Sequence, residues 1–352
     1  MAFARACATA MKAAMVISSD TNDYEIRVQD LSRVLGCTPA ELNTRLPAPL
    51  ETSLGFQNRH LSPAVVRQVL EASGVSYAFR TIAFINLKGG VGKTTSSLAV
   101  ASRAVQLGFR TCILDLDAQA SATVALGGTA GDDDSPVFQT LWQTPERIGD
   151  VLKTVHPFLS YLPSSLENSL LDVSLMNPTA QKNAVSAVTR AMARLGFDLV
   201  IIDCPPSLGG AVISTVCAAD TIVIPVACDA FSRRGLALTL EEASAIRSTF
   251  GLPAPEIRIL PTMLDRRSSL TAPVLQQLQA EHGERLLPGG IGTSTLFSRI
   301  LEKRQTLFSK GIPRTSAHRD YDETVKALLR VNPPAARAST PESEPAFEGA
   351  AP

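Results

Sequence analysis

Lys88, Gly89, Gly90, Val91, Gly92, Lys93, Thr94 and Thr95 run consecutively, between the apolar "FINL" at 84–87 and the helix-compatible "SSLAVASRAV" at 96–105. Glycines at 89, 90 and 92 admit backbone conformations closed to other residues, so successive N–H groups can converge on one anion. A helix starting near Lys93 adds the positive end of its dipole. Lys93 can reach the outer phosphates of a nucleotide, and the Thr94 hydroxyl can bind Mg2+. An ordinary glycine turn would not place strand, loop, Gly-Lys-Thr and helix together in that order. A second acid belongs on a neighbouring strand, where it holds the metal, often through water. Asp203 in "LVIIDCPPS" ends an apolar run and precedes Pro205-Pro206. The remaining puzzle is Lys88, a second lysine at the mouth of the loop.

These groups need a scaffold, and the chain supplies one from about residue 79 to 331. "TIAFINL", "TCILDLD", "FDLVIIDCP", "TIVIPVA" and "IRILPTML" are apolar throughout, and the stretches "TTSSLAVASRAVQLG" and "RGLALTLEEASAIRSTFG" read as helices. Apolar strands separated by helices predict an α/β fold, a mostly parallel sheet covered on both faces. Ligands of such sheets bind at the carboxyl ends of strands, where the loop lies.

Residues 22–78 read as a small helical domain. "VQDLSRVLG" and "CTPAELNTRL" suggest helix, glycine turn and helix, with Thr38 as N-cap and Pro39 as first helical residue; Ser62 and Pro63 repeat that start. A helix-turn-helix and a plain helical bundle both satisfy the spacing. In the former, Leu42, Asn43, Thr44 and Arg45 would lie on a recognition helix, with Asn43 and Arg45 reaching base edges. Residues 1–21 are expected to be a flexible N-terminus, with Met11 an alternative start and with Arg5 and Lys12 interrupting any signal-peptide-like run. The tail, 332–352, is rich in Pro, Ala, Ser and Glu and is expected to be disordered; "GGTAGDDDSP" reads as a surface loop.

Composition sets limits on function. Lys plus Arg and Asp plus Glu both total 33, so the net charge is zero, and any nucleic-acid contact must come from a local patch. No apolar run is long enough to span a membrane. The six cysteines lack a C-x-x-C pair and read as reduced, buried thiols of a cytoplasmic protein.

"KGGVGKTT" resembles the deviant Walker A motif of the ParA/MinD ATPases, and "LDLDAQASAT" and "DCPPSLG" resemble that family's acidic segments. The resemblance spans roughly 81–329. It implies a P-loop ATPase using ATP and Mg2+, with Lys88, Lys93 and Asp117 catalytic. Lys88 is then the signature lysine, which crosses the interface of an ATP-dependent homodimer to the partner's phosphates. Asp117 orients the attacking water. Thr94 and Asp203 serve the metal, and Asp115 supports it from behind. Ala118 departs from the family's usual proline. "ILPTMLDRRSS" resembles the segment near the adenine. Residues 24–46 and 58–69 resemble a MerR-like winged helix-turn-helix.

Within the family, the acidic, proline-rich C-terminus disfavours membrane-binding MinD-type members. The ParA-type branch implies non-specific DNA binding, here through Arg267, Arg299, Lys303 and Arg304, with Lys310 nearby. The segment 299–313 departs from the family pattern in sequence and spacing. The expected function is a weak, DNA- and partner-stimulated ATPase, associated with the nucleoid, that segregates a plasmid or chromosome with a ParB-like partner. A protein assembly positioned through a cargo adaptor is one alternative; operon repression through the N-terminal unit is another. A metal-carrier ATPase would need paired cysteines, and an inactive scaffold would not retain Lys88, Lys93, Thr94, Asp117 and Asp203 together.

Overall fold

The computed structural model describes residues 24–331 apart from 53, 130–135, 230–231 and 270. The expected flexible N-terminus and C-terminal tail, and most of "GGTAGDDDSP", lie outside the described residues. Among the described residues there are nine strands: β1 (Ile26–Arg27), β2 (His60–Leu61), β3 (Arg80–Phe84), β4 (Thr111–Asp115), β5 (Lys153–His156), β6 (Leu159–Leu162), β7 (Leu199–Asp203), β8 (Thr221–Ala227) and β9 (Glu256–Thr262). The first two pair with each other, antiparallel. The other seven form one sheet in the order β5-β6-β4-β7-β3-β8-β9, parallel except for the β5–β6 edge.

Alternation along each strand splits the core. Ile82, Phe84, Ile113, Leu199, Ile201 and Val223 face one hydrophobic cluster. Ala83, Leu114, Val200, Ile202, Ile222 and Ile224 face the other. Both faces are therefore covered, as continuous apolar runs require. The edge hairpin β5–β6 was not expected from sequence. "KTVH" and "LSYL" are short and partly polar, which suits an edge rather than a centre.

The helices are α1 (Val28–Leu35), α2 (Pro39–Thr44), α3 (Pro63–Ala72), α4 (Lys93–Gln106), α5 (Ser121–Ala125), α6 (Phe138–Leu141), α7 (Ile148–Val151), α8 (Leu171–Ser174), α9 (Pro178–Arg194), α10 (Gly210–Ala218), α11 (Ser232–Thr249), α12 (Thr271–His282), α13 (Leu296–Glu302) and α14 (Ser316–Leu329). Gly36 ends α1 in the left-handed region, at φ 64°. Thr38 and Glu41 form a reciprocal capping box on α2, and Pro39 is its first residue. Ser62 precedes α3, but its side chain makes no capping bond.

Asn43 corrects the base-contact expectation. Its amide is buried and clamps residue 50: Nδ2 donates to the Leu50 carbonyl at 2.9 Å, and the Leu50 N–H donates back at 2.8 Å. Leu42 is fully buried as well. Only Thr44 and Arg45 of that quartet are exposed.

The N-terminal elements pack into the same cluster as α4 and α14, so no gap in packing separates them from the sheet. Arg67 on α3 binds Asp198 at 2.5 Å and lies 4.1 Å from the Tyr77 ring centre. A Cβ on Gly108, after α4, would come within 2.6 Å of Arg67 Cβ. The missing side chain lets α3 approach this closely.

Candidate nucleotide site

The loop between β3 and α4 sits at a crevice where directions reverse: the connection leaving β3 runs past β7 to β4, and the one leaving β7 runs the other way, past β3, to β8. Asn86 anchors its start: the buried amide donates to the Pro225 carbonyl at 2.7 Å and accepts from the Lys88 N–H at 2.8 Å. Thr262 Oγ1, at the end of β9, donates to the Val91 carbonyl at 2.9 Å. The loop is thus tied to two neighbouring strands. Gly90 and Gly92 have φ of 71° and 87°, which a side chain would strain. Built Cβ atoms at Gly89 and Gly90 would meet nothing within 4 Å, so a hollow faces the loop. Gly92 caps α4 without a side-chain bond, leaving the first N–H groups free for an anion.

Lys93 is buried, and its Nζ donates to the Asn86 and Lys88 carbonyls at 3.1 and 3.2 Å. Burial draws its pKa down, while Asp203 opposes that. An ammonium folded against two loop carbonyls is positioned to exchange them for phosphate oxygens.

Asp203 is the site's least satisfied group. It is fully buried, and neither carboxylate oxygen has a partner in hydrogen-bond geometry. Burial first, and then the Asp115 charge, raise its pKa well above the usual carboxylate value; Thr94 and Lys93 pull the other way. The sheet explains the pairing, because Asp115 on β4 and Asp203 on β7 are in register. Two acids side by side beneath an anion-binding loop fit a divalent cation, which offsets their repulsion. Thr94 and Asp203 are the donors placed to hold it. Among the described residues no cluster of three or more His, Cys, Asp or Glu side chains could hold a metal alone. Phosphate and water would complete the shell, as suits Mg2+.

Asp115 stands behind. Its Oδ2 accepts from the Thr123 N–H at 2.8 Å and hydroxyl at 2.7 Å, and its Oδ1 from the Asp117 N–H at 3.2 Å. Burial raises its pKa to about 7. Asp117 is half-buried; Oδ1 accepts from Gln119 N–H at 3.0 Å and its carbonyl from Ser164 Oγ at 2.7 Å. Asn168 binds the Asp115 carbonyl at 3.3 Å and Ser164 Oγ at 2.7 Å, tying this loop to a remote segment. Ser164 and Asn168 went unmarked in sequence because they lie about fifty residues away in an undistinguished stretch.

Lys88 points out of its own loop. Its Nζ lies 2.7 Å from Asp229 Oδ2 and 3.1 Å from Ser232 Oγ, just beyond β8. Ser232 Oγ donates to Asp229 Oδ1 at 2.9 Å.

Beside Gly92 and Thr95 opens a cavity of about 520 Å³, with Met263, Phe297, Leu301 and Tyr321 among its walls. Met263 turns out of β9 at φ 54°. Tyr321 on α14 shares a 2.9 Å hydrogen bond with Ser96 on α4. An apolar hollow next to a phosphate loop suits a flat base. Met263 lies in the segment whose resemblance placed it near the adenine, whereas Phe297, Leu301 and Tyr321 come from distant segments that sequence spacing did not reveal.

The basic residues lie nearby. Arg267, Arg299, Lys303 and Arg304 are all exposed. Asp265–Arg267 and Gly292–Thr295, the loop leading to α13, line one shared cavity, which brings Arg267 and the α13 entrance together.

Comparison with known proteins agrees with this geometry. Residues 79–253 match the model of a family described as AAA domain. The chromosome-partitioning ATPase Soj of Thermus thermophilus is 33% identical over 210 residues, 59% of this chain and 78% of that protein. The cell division protein PomZ of Myxococcus xanthus is 28% identical over 243 residues, covering 69% and 76%. A solved structure described as cobyrinic acid a,c-diamide synthase from Mycobacterium smegmatis, with an ATP analogue and magnesium, superposes with a TM-score of 0.60 at 27% identity, covering 72% of this chain and 95% of that one. With the lysine-led loop, the paired sheet-edge acids and these relatives together, the chain belongs to the ParA/MinD family of P-loop ATPases.

Proposed function

We propose that this chain is a ParA-like ATPase of DNA partition or cargo positioning, which binds ATP and Mg2+, dimerises with ATP bound and holds DNA non-specifically as a dimer. The observation that carries this reading is Lys88, turned away from its own loop to an exposed edge. Two facing triphosphates concentrate negative charge, and a lysine from each copy offsets it. The donor set supports the rest. Backbone N–H groups and Lys93 take the phosphates, Thr94 and Asp203 hold the metal, and the cavity at Met263 and Phe297 receives the base. Mg2+, when bound, neutralises charge on the outer phosphates. Asp117, held by Gln119 and Ser164, orients the attacking water. Hydrolysis is slow until a ParB-like or other adaptor protein stimulates it, and the protein resides in the cytoplasm on the nucleoid. Soj and PomZ bear names from chromosome partitioning and cell division, so DNA and a protein assembly both stand as cargo.

Lys88→Ala tests the reading. The variant should bind ATP as before yet stay monomeric in light scattering with ATP and Mg2+, and fail to bind DNA. A stable ATP dimer without Lys88 overturns it.

A further inference from the structure

Eight large apolar side chains stand exposed among the described residues, and seven of them lie on segments that follow the carboxyl ends of sheet strands, the end that carries the phosphate loop. Leu208 follows β7, Leu238 lies on α11 after β8, and Met263 follows β9. The other four fall close together after β6: Leu166 is 71% exposed, Leu170 54%, Val173 68% and Met176 73%. Asn168, Leu171 and Leu175 among them are buried, so this segment has an inner and an outer side. Soluble monomers rarely expose apolar side chains so densely, and where they do a contact surface is marked.

The inner side rests on the acids of the nucleotide site. Ser164 Oγ donates to the Asp117 carbonyl at 2.7 Å, and Asn168 Nδ2 to the Asp115 carbonyl at 3.3 Å. Toward β7, a side chain on Gly209 would collide with Asp172, and a Cβ on Gly210 would lie 2.7 Å from Leu175 Cβ. Residues 164–176 are thus a strap laid over two loops, the one that carries Asp117 and the one that follows Asp203. Charge and place point to what covers it. The chain has no Lys or Arg between Lys153 and Lys182, and Glu167 and Asp172 are exposed, so the strap is acidic as well as apolar. The sheet order puts β6, β4 and β7 to one side of β3, and β8 to the other. On that other side Lys88 and the exposed Arg234 are basic, and Leu238 stands open on the same helix as Arg234. In a two-fold pair, one side of each copy can meet the other side of its partner, so both signs and both apolar sets find mates.

We propose that the strap at 164–176 is a contact surface for a second copy of this chain, and that this contact steadies Asp117. The inference rests on the reading of Lys88 given above and adds to it a link between pairing and hydrolysis. A strap covered on its outer side loses freedom on its inner side. Through Ser164 it then holds the Asp117 loop in one place, as a group that orients water requires. Hydrolysis therefore proceeds in the pair and lags in the single copy.

The test uses the full-length protein with Val173→Glu and Met176→Glu, made separately. Both side chains are exposed, so the fold should tolerate either change, and each variant is informative without the other. With a non-hydrolysable ATP analogue and Mg2+, light scattering should show the dissociation constant of the pair raised about ten-fold or more, with analogue affinity unchanged. At a concentration that keeps wild type paired, ATP hydrolysis per molecule should fall in the variants. It should recover as their concentration is raised, which a damaged site would not do. If wild type itself stays single with the analogue, the Lys88 reading fails and this inference falls with it. If wild type and both variants pair equally, that reading stands and the strap contact is overturned, its apolar side belonging to a different protein. Hydrolysis per molecule that does not follow pairing overturns the link to Asp117.

Discussion

Asp115, Asp117 and Asp203 lie close together, yet each is treated differently by its surroundings. Asp117 alone is partly open, which suits a group that must meet water. Replacing it with alanine should lower stimulated hydrolysis by about 10²–10⁴-fold and leave ATP affinity intact. Phosphate-release and nucleotide-binding assays on the same preparation check both halves. Asp115 and Asp203 make a pH prediction. Both have folded pKa values raised by burial, Asp115 to about 7. A raised acid contributes stability in full below its unfolded pKa and loses it as pH climbs through the folded value. Through Asp115 the nucleotide-free protein should therefore lose on the order of a few kcal/mol between about pH 4 and pH 7, with Asp203 acting in the same direction. Asp115→Asn should flatten that loss in urea titrations, and an unchanged slope would remove Asp115 as its source. Asp203 was legible in sequence because it ends an apolar run, and Asp115 and Asp117 through the resemblance of "LDLDAQASAT" to the family's acidic segment. Asp229 and Asn86, which hold Lys88 and the loop, were not, since their partners lie about 140 positions away.

At the level of elements, α4 is the common beam. Its first turn opens onto the phosphate hollow and meets α14 through Ser96 and Tyr321, and its end meets the N-terminal elements through Gln106. The central strands were legible because each is apolar throughout. The β5–β6 hairpin lacked that signal. The N-terminal helices were legible from Thr38, Pro39 and Gly36, whereas their attachment was not, because Arg67 gives no hint in sequence of Asp198 or of the gap at Gly108. That shared packing predicts one cooperative unfolding transition. Arg67→Ala should lower stability by about 1–3 kcal/mol, since Asp198 stays largely buried without its main cation. Urea unfolding followed by two probes, one in each part, is the measurement. Separate transitions in wild type would show that the two parts fold independently.

Across the whole molecule the net charge is zero, so on the proposed reading DNA affinity resides in a small patch. Arg267→Glu together with Arg299→Glu should abolish DNA binding in gel shifts while sizing still finds the ATP dimer. Full DNA binding by the double variant would move the site elsewhere. The clasp between Lys88 and Asp229 finally bears on chance. Both side chains are more than a third exposed, at 38% and 43%, and such pairs are worth at most about 1 kcal/mol. That is at most roughly a five-fold preference, so at least about one molecule in six has its lysine arm unfastened at any instant. Meetings between two nucleotide-loaded copies are thereby thinned by a constant factor for each arm, and none is forbidden.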